Sequence, residues 1–442
     1  MENPTRYPGQ LDPDFSQHPQ APGWVDLLRA LNWAPVMDLF FSSAAPTPDG
    51  SLYVCGYFAQ NTDVAVEYFV IRLHNDASLD TRFGEQGIVR GTFPINFKAI
   101  MPTRLILQDD GKLLMQSLGY SGAASSPDPL TFVLRLLDSG EPDTTFANQG
   151  LMRLELPVGR YNALLAEFGD LHVLPDGRIL GCHSGVSYLT TPNPKNSGLL
   201  YRLTADGRPD SSFNGNGLLD LSVDGASLHI TRCITGPDLT TFVVGQISDA
   251  TSPYCRGLVA RLNAQGRPDP TFGANGIQDL PLNGRHLSLQ AIARQPDGAL
   301  LVVGIARHPF ENVEDQGVLI GLSADGLLDR RFNRGQPLFT PINERYNVEW
   351  LDVQALDDGK WLVAGRSWPR VSSFDSYLYL ARYLPDGTAD TAFGNSGNGR
   401  IETHTGGNTT TPFEMTRQAD GKMLVGLNAG GFRKGTLLRY LA

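Results

Sequence analysis

The sequence lacks the marks of a known catalyst, a membrane protein or a nucleic-acid binder. It contains no HExxH, Walker A, GxSxG or strand-linked GxGxxG motif, and none of its eight histidines are four residues apart. Its four cysteines show neither CxxC nor metal-ligand spacing, which favours buried reduced thiols. No apolar run approaches the roughly 18 residues of a membrane span. A net charge of −10 disfavours a nucleic-acid partner, which usually needs a basic surface.

Helical periodicity and a targeting signal are missing as well. No positively charged stretch followed by an apolar one begins the sequence, which with the reduced thiols predicts a cytoplasmic location and leaves leaderless export open. The 30 prolines and 48 glycines punctuate short apolar runs instead of replacing them. This pattern is typical of an all-β chain rich in turns, not of disorder.

What the sequence does contain is a repeat of about 60 residues. Its first half is an Asp-Gly turn between apolar runs, a strong hairpin signal because glycine adopts a positive φ without strain. The turn aspartates are Asp49, Asp110, Asp176, Asp238, Asp297, Asp358 and Asp420, with Leu239 in place of the glycine in the fourth copy. The second half ends in Asp-x-x-Phe, with Phe15, Phe83, Phe146, Phe213, Phe272, Phe332 and Phe393. Two motifs that keep one period predict a seven-bladed β-propeller with four antiparallel strands per blade.

An arginine precedes the aspartate of Asp-x-x-Phe by eight residues in most copies. The pairs are Arg72 and Asp80, Arg135 and Asp143, Arg202 and Asp210, Arg261 and Asp269, and Arg382 and Asp390. We interpret this spacing as a structural arginine–carboxylate clamp across the turn, because a ligand site would not recur in every copy. Gly321 replaces the arginine before Asp329, so that copy needs another way to stabilise its turn.

The two ends of the sequence complement each other. The last copy stops at residues 438–442, where Asp-x-x-Phe should follow, and that motif stands instead at residues 12–15. We therefore expect one domain over residues 1–442, in which residues 1–30 close the ring and a strand near residues 24–28 completes the last blade.

Residues 261–276 (RLNAQGRPDPTFGANG) and 295–304 (QPDGALLVVG) resemble the delta-60 repeat family of bacterial β-propeller-like proteins. The resemblance covers nearly the whole chain. It implies a propeller fold, but no common enzyme chemistry and no fixed catalytic residues.

The first and third connections of a four-stranded antiparallel blade lie on one face of a propeller, here called the turn face. The second connection and the link between blades lie on the opposite, variable-loop face, where the connections are long and differ between copies. Aromatic side chains with arginine are typical of binding hot spots. The candidate binding residues on this face are Tyr120, Arg160, Tyr188, Tyr254, Arg285, His308, Arg345, Arg366, Trp368 and Arg370. The competing interpretation is that these side chains pack their own loops.

A second candidate lies on the innermost strands. The position six residues before each turn aspartate holds Ser43, Arg104, Asp170, Arg232, Ala291, Asp352 and Glu414. The five charged residues predict an axial charged ring, in which Asp352 and Glu414 would be adjacent like charges that raise a pKa or attract a cation. Salt bridges between blades are the structural alternative, and a register error of one residue would move the whole ring.

We therefore expect a non-catalytic binding or scaffold protein whose variable-loop face binds a protein or glycan partner. No cofactor is expected, apart from the cation that the axis could hold. The alternative is a metal-assisted lyase or hydrolase with Asp170, Asp352 and Glu414 at the axis. A third interpretation is a purely structural element of a larger assembly.

Overall fold

The fold is all-β and is built from antiparallel sheets. The computed structural model describes residues 6–16, 22–31, 38–59, 66–93, 99–121, 128–156, 163–187, 195–223, 225–310, 313–340, 346–370, 376–405, 410–429 and 434–442. Five sheets have four strands each, and a sixth, here called the joint sheet, has eight. Within the described ranges the one α-helix is a single turn, Leu27–Ala30 (α1), so no helix there is long and apolar enough to cross a membrane.

The joint sheet combines both ends of the sequence. Its strands are β1 (Trp24–Asp26), β2 (Asp38–Pro46), β3 (Leu52–Ala59), β4 (Glu67–Leu73), β5 (Ile88–Gly91), β26 (Thr410–Arg417), β27 (Met423–Ala429) and β28 (Lys434–Tyr440). Strands β2 to β5 form one antiparallel half, and β26 to β28 with β1 form the other. The halves meet at one parallel bridge between Leu39 and Lys434.

The other five sheets follow in chain order, each with its strands in sequential order. The first two contain β6 (Ala99–Leu107), β7 (Leu113–Ser121), β8 (Asp128–Leu136) and β9 (Leu151–Leu154), then β10 (Ala163–Val173), β11 (Ile179–Ser187), β12 (Lys195–Leu203) and β13 (Leu218–Leu221). The third contains β14 (Ser227–Thr235), β15 (Thr241–Ser248), β16 (Arg256–Leu262) and β17 (Ile277–Leu280). The last two contain β18 (His286–Arg294), β19 (Leu300–Arg307), β20 (Gln316–Leu322), a 3₁₀ turn (Asn333–Gly335) and β21 (Leu338–Thr340), then β22 (Tyr346–Ala355), β23 (Trp361–Pro369), β24 (Tyr377–Tyr383) and β25 (Arg400–His404).

Both repeated turns are held by their aspartates. In the first turn, Asp49 Oδ1 accepts the backbone N–H of Ser51 at 3.0 Å, and the fourth copy keeps this contact between Asp238 and Thr240 at 3.3 Å. In the second, Asp143 Oδ1 accepts the N–H of Thr145 at 3.0 Å. An aspartate that bonds the backbone two residues on forms an Asx turn, which explains why this residue recurs at both positions.

The arginine clamp is present. Arg135 Nε lies 2.8 Å from Asp143 Oδ2, its guanidinium stacks 4.5 Å from the centre of the Phe146 ring, and its Nη1 donates to the carbonyl of Ala205 in the next sheet at 2.6 Å. One arginine thus ties a turn, a buried aromatic ring and the neighbouring sheet together. Where Gly321 replaces the arginine, Arg331 pairs with Asp329 at 2.8 Å instead.

The hydrophobic core lies between successive sheets. One cluster joins Leu180 and Leu200 of the β10–β13 sheet to Val243 and Leu258 of the β14–β17 sheet, and all four are buried. The turn phenylalanines belong to this core, since each is at most 3% exposed: Phe15, Phe83, Phe146, Phe213, Phe272, Phe332 and Phe393. Burial of these rings explains why phenylalanine, rather than any apolar residue, recurs at the turn.

The segment before the first repeat pairs with the last strand. Strand β1 runs antiparallel to β28, with Trp24 opposite Leu438, and Leu11 forms a further bridge to Tyr440. The strand is shorter than the sequence indicated: it ends at Asp26, because the Asp26 side chain accepts the N–H groups of Leu28 and Arg29 and starts the helical turn.

Candidate functional site

Five of the seven ring positions lie on inner strands that share a β-bulge. In β2, β6, β14, β18 and β22 the pairing register shifts immediately before the ring position, for example between Pro102 and Arg104 and between Trp350 and Asp352. A bulge inserts one residue and re-aims the side chain that follows it. The ring position predicted from spacing is therefore the first residue paired again after the bulge in each of these strands.

Three ring side chains accept hydrogen bonds from the backbone of the neighbouring inner strand. Ser43 Oγ accepts the N–H of Leu105 at 3.0 Å, and Asp352 Oδ2 accepts that of Met415 at 3.0 Å. Glu414 Oε2 accepts the N–H of Ala44 at 3.1 Å. In each case the donor directly follows the next ring residue. The ring therefore has a structural task, because its side chains satisfy buried backbone amides of the neighbouring inner strands.

Arg104 is the centre of the ring's charge network. Its Nε lies 3.2 Å from Asp170 Oδ1, and its Nη1 forms a close ion pair with Glu414, across the intervening strand that carries Ser43. On the other side, Arg232 Nη2 lies 3.8 Å from Asp352 Oδ2. Both arginines are largely buried, as are the three carboxylates. Two guanidinium groups thus serve three carboxylates.

This pairing differs from the free like-charge pair considered above. Asp352 pairs with Arg232, and Glu414 pairs with Arg104, which it shares with Asp170. Burial alone would lower the pKa of Arg104, but the charges of Glu414, Asp170 and Asp352 outweigh it and raise that pKa above its ordinary value. Burial likewise opposes the charge of Asp170, yet His172 and Arg104 hold the pKa of this carboxyl well below its usual range. The charged side chains of the ring are thus paired with one another.

The variable-loop end of the β22–β25 sheet carries two groups of aromatic and basic side chains, one on each side of the sheet. Arg366 lies 5.2 Å above the Trp368 ring, and its Nη2 donates to Glu349 Oε2 at 2.8 Å. The Tyr377 ring lies 5.9 Å from that of Tyr346 and 5.2 Å from that of His404. Here the structure brings sequence-predicted residues together with others that the sequence did not single out.

Glu349 is the most informative of the missed residues. Its side chain is 3% exposed, yet it meets Arg366, Arg307 and the amide of Gln290, whose Nε2 lies 3.2 Å from Oε1. A buried carboxylate with several donors is a charge-assisted network that fixes the orientation of its arginines. Glu349 lies two residues before the bulge in β22. A charged residue among the mostly apolar residues 346–351 was the sequence feature that could have identified it.

The adjacent β18–β21 sheet contributes His308 and Phe310, in the loop between β19 and β20. Their rings lie 5.2 Å apart, and His308 Nδ1 accepts the N–H of Phe310 at 3.2 Å. Phe310 is nevertheless 69% exposed, the largest value among the exposed large hydrophobic residues described. The loop therefore presents this ring to solvent.

Other predicted face residues serve their own loops. Arg285 Nη1 donates to the carbonyls of Ala306 and Glu314, at 3.3 and 3.0 Å, and so braces the β19–β20 connection. Tyr254 packs edge-on against His286 at 5.4 Å. Arg370 follows β23 and is half-buried. Arg160, Tyr188 and Arg345 lie outside the described residues, and Tyr120 is described only as part of the backbone of β7.

The turn face carries a cavity of about 910 Å³ that spans three sheets. Its lining includes Lys112, Arg135, His172, Asp206 and Pro237. The cavity was not expected from sequence, because its walls come from the turns of three sheets, and only the packing of those sheets brings the turns together.

Sheets of four antiparallel strands in succession, with a repeated turn at one face, define a β-propeller. A family model described as a β-propeller domain of unknown function, DUF5122, matches residues 47–83, 174–213 and 356–393. This supports a β-propeller repeat family, and the delta-60 assignment stays a prediction. No curated protein matches the chain.

Solved structures share the fold at low sequence identity. A polysaccharide lyase of family PL25, an ulvan lyase, is 10% identical, with 92% of this chain and 94% of that chain covered and a TM-score of 0.52. The ulvan lyase bound to a glucuronate–sulfated rhamnose unit is 11% identical, with 99% and 94% covered and a TM-score of 0.51. The β-propeller domain of the Trilobed protease from Pyrococcus furiosus is 8% identical, with 91% and 93% covered and a TM-score of 0.44. These likenesses concern the fold alone.

Proposed function

We propose that residues 1–442 form a single seven-bladed propeller. The five four-stranded sheets supply five blades, and the two halves of the joint sheet supply the first and the last. The pairing of β1 with β28 supports residues 1–30 as the closing segment. The single bridge between Leu39 and Lys434 supports counting the joint sheet as two blades, because among the described strands no other ladder links its halves.

We further propose a non-catalytic binding function for the variable-loop face, with a protein or glycan partner. The observation that carries this proposal is the set of aromatic and basic side chains at this face: the solvent-exposed ring of Phe310, the stacked pair of Trp368 and Arg366, and Tyr377 on the other side of the β22–β25 sheet. Aromatic rings and arginine contribute most of the energy of many interfaces and also stack on sugar rings. The buried Glu349 holds Arg366 in place, so the surface is pre-organised, which lowers the entropy lost on binding.

An enzyme with an axial site is the second candidate. The carboxylates of Asp170, Asp352 and Glu414 are each engaged by an arginine, and Asp352 and Glu414 also accept backbone amides. Groups committed to such contacts are poorly placed to move protons, which favours the binding function. The likeness to ulvan lyase keeps polysaccharides among the ligands to be tested. The cytoplasmic location stays a prediction.

The test is a comparison of the wild-type protein with the double variant Trp368→Ala/Arg370→Ala. Both serve as bait for a host lysate and as probes of a glycan array that includes acidic polysaccharides. A partner or glycan that the wild type binds and the double variant loses supports the proposal. Leu327→Ala is the matched control, since Leu327 is 57% exposed but lies on the turn face, and it should bind like wild type. Binding that survives the double variant would exclude this surface.

A further inference from the structure

Four potential metal ligands converge between the β10–β13 and β14–β17 sheets. Asp170 and His172 are two residues apart on β10 and so share a face of the sheet. Cys182 on β11 lies directly opposite Asp170 and shares that face, and Cys233 on β14 approaches from the facing sheet. A carboxylate oxygen of Asp170, a ring nitrogen of His172 and the Cys233 sulfur all lie within 4.8 Å of one another.

The contacts around Asp170 orient it towards this cluster. Its Oδ1 accepts the N–H of Leu171 at 3.0 Å and lies 3.2 Å from Arg104 Nε, while its Oδ2 lies 3.2 Å from His172 Nε2. That histidine nitrogen is also 2.7 Å from the carbonyl oxygen of Cys233. The two contacts of Oδ1 are outer contacts of the kind that orient ligand side chains in known metal sites. The histidine contact is different: because a carbonyl oxygen only accepts, Nε2 carries the proton here and must give up this hydrogen bond to become a ligand. Arg104 shares its charge with Glu414, which reduces its repulsion of a cation near Asp170.

We propose that Asp170, His172 and Cys233 bind a divalent transition metal ion, with Cys182 placed to supply a fourth ligand. One oxygen, one nitrogen and one or two thiolate donors suit zinc and similar borderline ions, and they do not suit magnesium or calcium, which take oxygen ligands. On binding, the Cys233 thiol loses its proton and forms the metal–sulfur bond, and Cys182 does the same if it coordinates. The His172 proton moves from Nε2 to Nδ1, so that the Nε2 lone pair binds the ion in place of its hydrogen bond to the Cys233 carbonyl. No oxidant or reductant takes part.

The cluster has a route to solvent. Asp170 and Cys233 are buried, but the side chain of His172 is 22% exposed and lines the 910 Å³ cavity on the turn face. A metal site needs such an entry path. Because the ligands come from two sheets, a bound ion would crosslink them. This site is independent of the binding function proposed for the variable-loop face.

Cobalt is a suitable probe, because tetrahedral Co²⁺ bound to thiolate absorbs visibly and zinc does not. We expect the full-length protein, stripped with a chelator and titrated with Co²⁺, to show the thiolate charge-transfer band and tetrahedral d–d bands at one ion per chain. Added Zn²⁺ should bleach them. Cys233→Ser should abolish the charge-transfer band, and His172→Gln should weaken Co²⁺ binding by about tenfold or more, since loss of even an outer partner costs that much.

Cys55→Ser is the matched control. Cys55 is also a buried free thiol, and it lies opposite Ser43 on β3 just as Cys182 lies opposite Asp170, but Ser43 replaces the carboxylate there. This variant should titrate like wild type. Absence of a thiolate band at saturating Co²⁺, or a band unchanged in Cys233→Ser, would overturn the proposal. If Cys233→Ser does not fold, unchanged Co²⁺ affinity in the partly exposed His172→Gln variant would overturn it instead.

Discussion

Arg439 Nε lies 2.8 Å from Asp12 Oδ2, although 427 positions separate the two residues in sequence. Both are buried, and the guanidinium also covers the Phe15 ring at 4.3 Å and donates to the Asn75 carbonyl at 2.7 Å. The same clamp that other sheets build within one hairpin is built here between distant parts of the chain. The joint sheet is thus closed by the same contacts among arginine, aspartate and phenylalanine that recur in the repeat.

Asp12→Asn should therefore lower the free energy of unfolding by about 3 kcal/mol, because it leaves a buried guanidinium without its counter-ion. Urea unfolding followed by circular dichroism measures this change. Asp14→Asn, two residues away, is the control: Asp14 pairs with Arg6 at an exposed site, so its loss should cost less than about 1 kcal/mol. Equal effects of the two substitutions would contradict a special role for the closing clamp.

The clamp aspartates predict how stability depends on acid. Burial opposes the charge of Asp143, but hydrogen bonds from Thr145 and the charge of Arg135 lower its pKa from 3.8 to about 2. A lowered folded-state pKa gives stability that is fully present above the unfolded value and is lost as the pH falls through the folded one.

The free energy of unfolding of wild type should therefore exceed that of Asp143→Asn by an amount that shrinks between about pH 4 and pH 2, with a total change of up to about 2 kcal/mol. Urea titrations of both proteins at several pH values measure this difference, and acid effects shared by other carboxylates cancel in it. A difference that is constant across this range would show that the ionised form of Asp143 is not preferentially stabilised by folding.

Leu239 has a φ of 61° at the turn position where Gly298 has 91°. A left-handed conformation costs a branched side chain roughly 1 to 2 kcal/mol. Leu239→Gly should therefore raise the free energy of unfolding by up to about 1 kcal/mol, part of the gain being offset by lost apolar contact and by chain entropy. The reciprocal change, Gly298→Leu, should destabilise the protein. Thermal unfolding of both variants checks the pair, and a lower melting temperature for Leu239→Gly would show that packing outweighs strain.

Arg104→Met should lower the free energy of unfolding by about 3 kcal/mol, because it leaves the buried carboxylates of Asp170 and Glu414 without their shared cation. Arg417→Met offers a comparison on β26, since Arg417 pairs with the exposed Asp357 and its loss should cost under about 1 kcal/mol. Chemical denaturation measures both. A mild effect at Arg104 would mean that the ring contributes little to stability.

The repeat unit could be predicted from sequence because its signals are local. Asp-Gly, Asp-x-x-Phe and the arginine eight residues earlier each act within one hairpin, so spacing alone located the turns and the clamp. The closing strand could also be predicted, since the missing motif of the last copy stands at residues 12–15. The end of this strand at Asp26 could not be predicted, because strand pairing competes there with the Asp26 side chain that caps the helical turn.

The candidate sites were less accessible to such reasoning. Spacing selected the residues of the axial ring but not their pairing. Arg104 pairs with Glu414 across an intervening strand, and this contact depends on how three sheets pack. His172 and Cys233 carry no motif because they lie on different strands, although the alternation that places His172 beside Asp170 was a readable signal. On the variable-loop face, residue type could not separate Trp368, which stacks with Arg366, from Arg285, which braces a loop.

The short pairing of β1 with β28 determines how the fold responds to a pulling force. Tension applied between the two ends of the sequence passes through the contacts of residues 9–12 with residues 439–441 and through the short ladder of β1 with β28 before it reaches any hairpin. Each hairpin is closed by its own turn, whereas this seam is closed only by contact between distant segments. We therefore expect the contacts that join the two ends of the sequence to break before the local hairpins open.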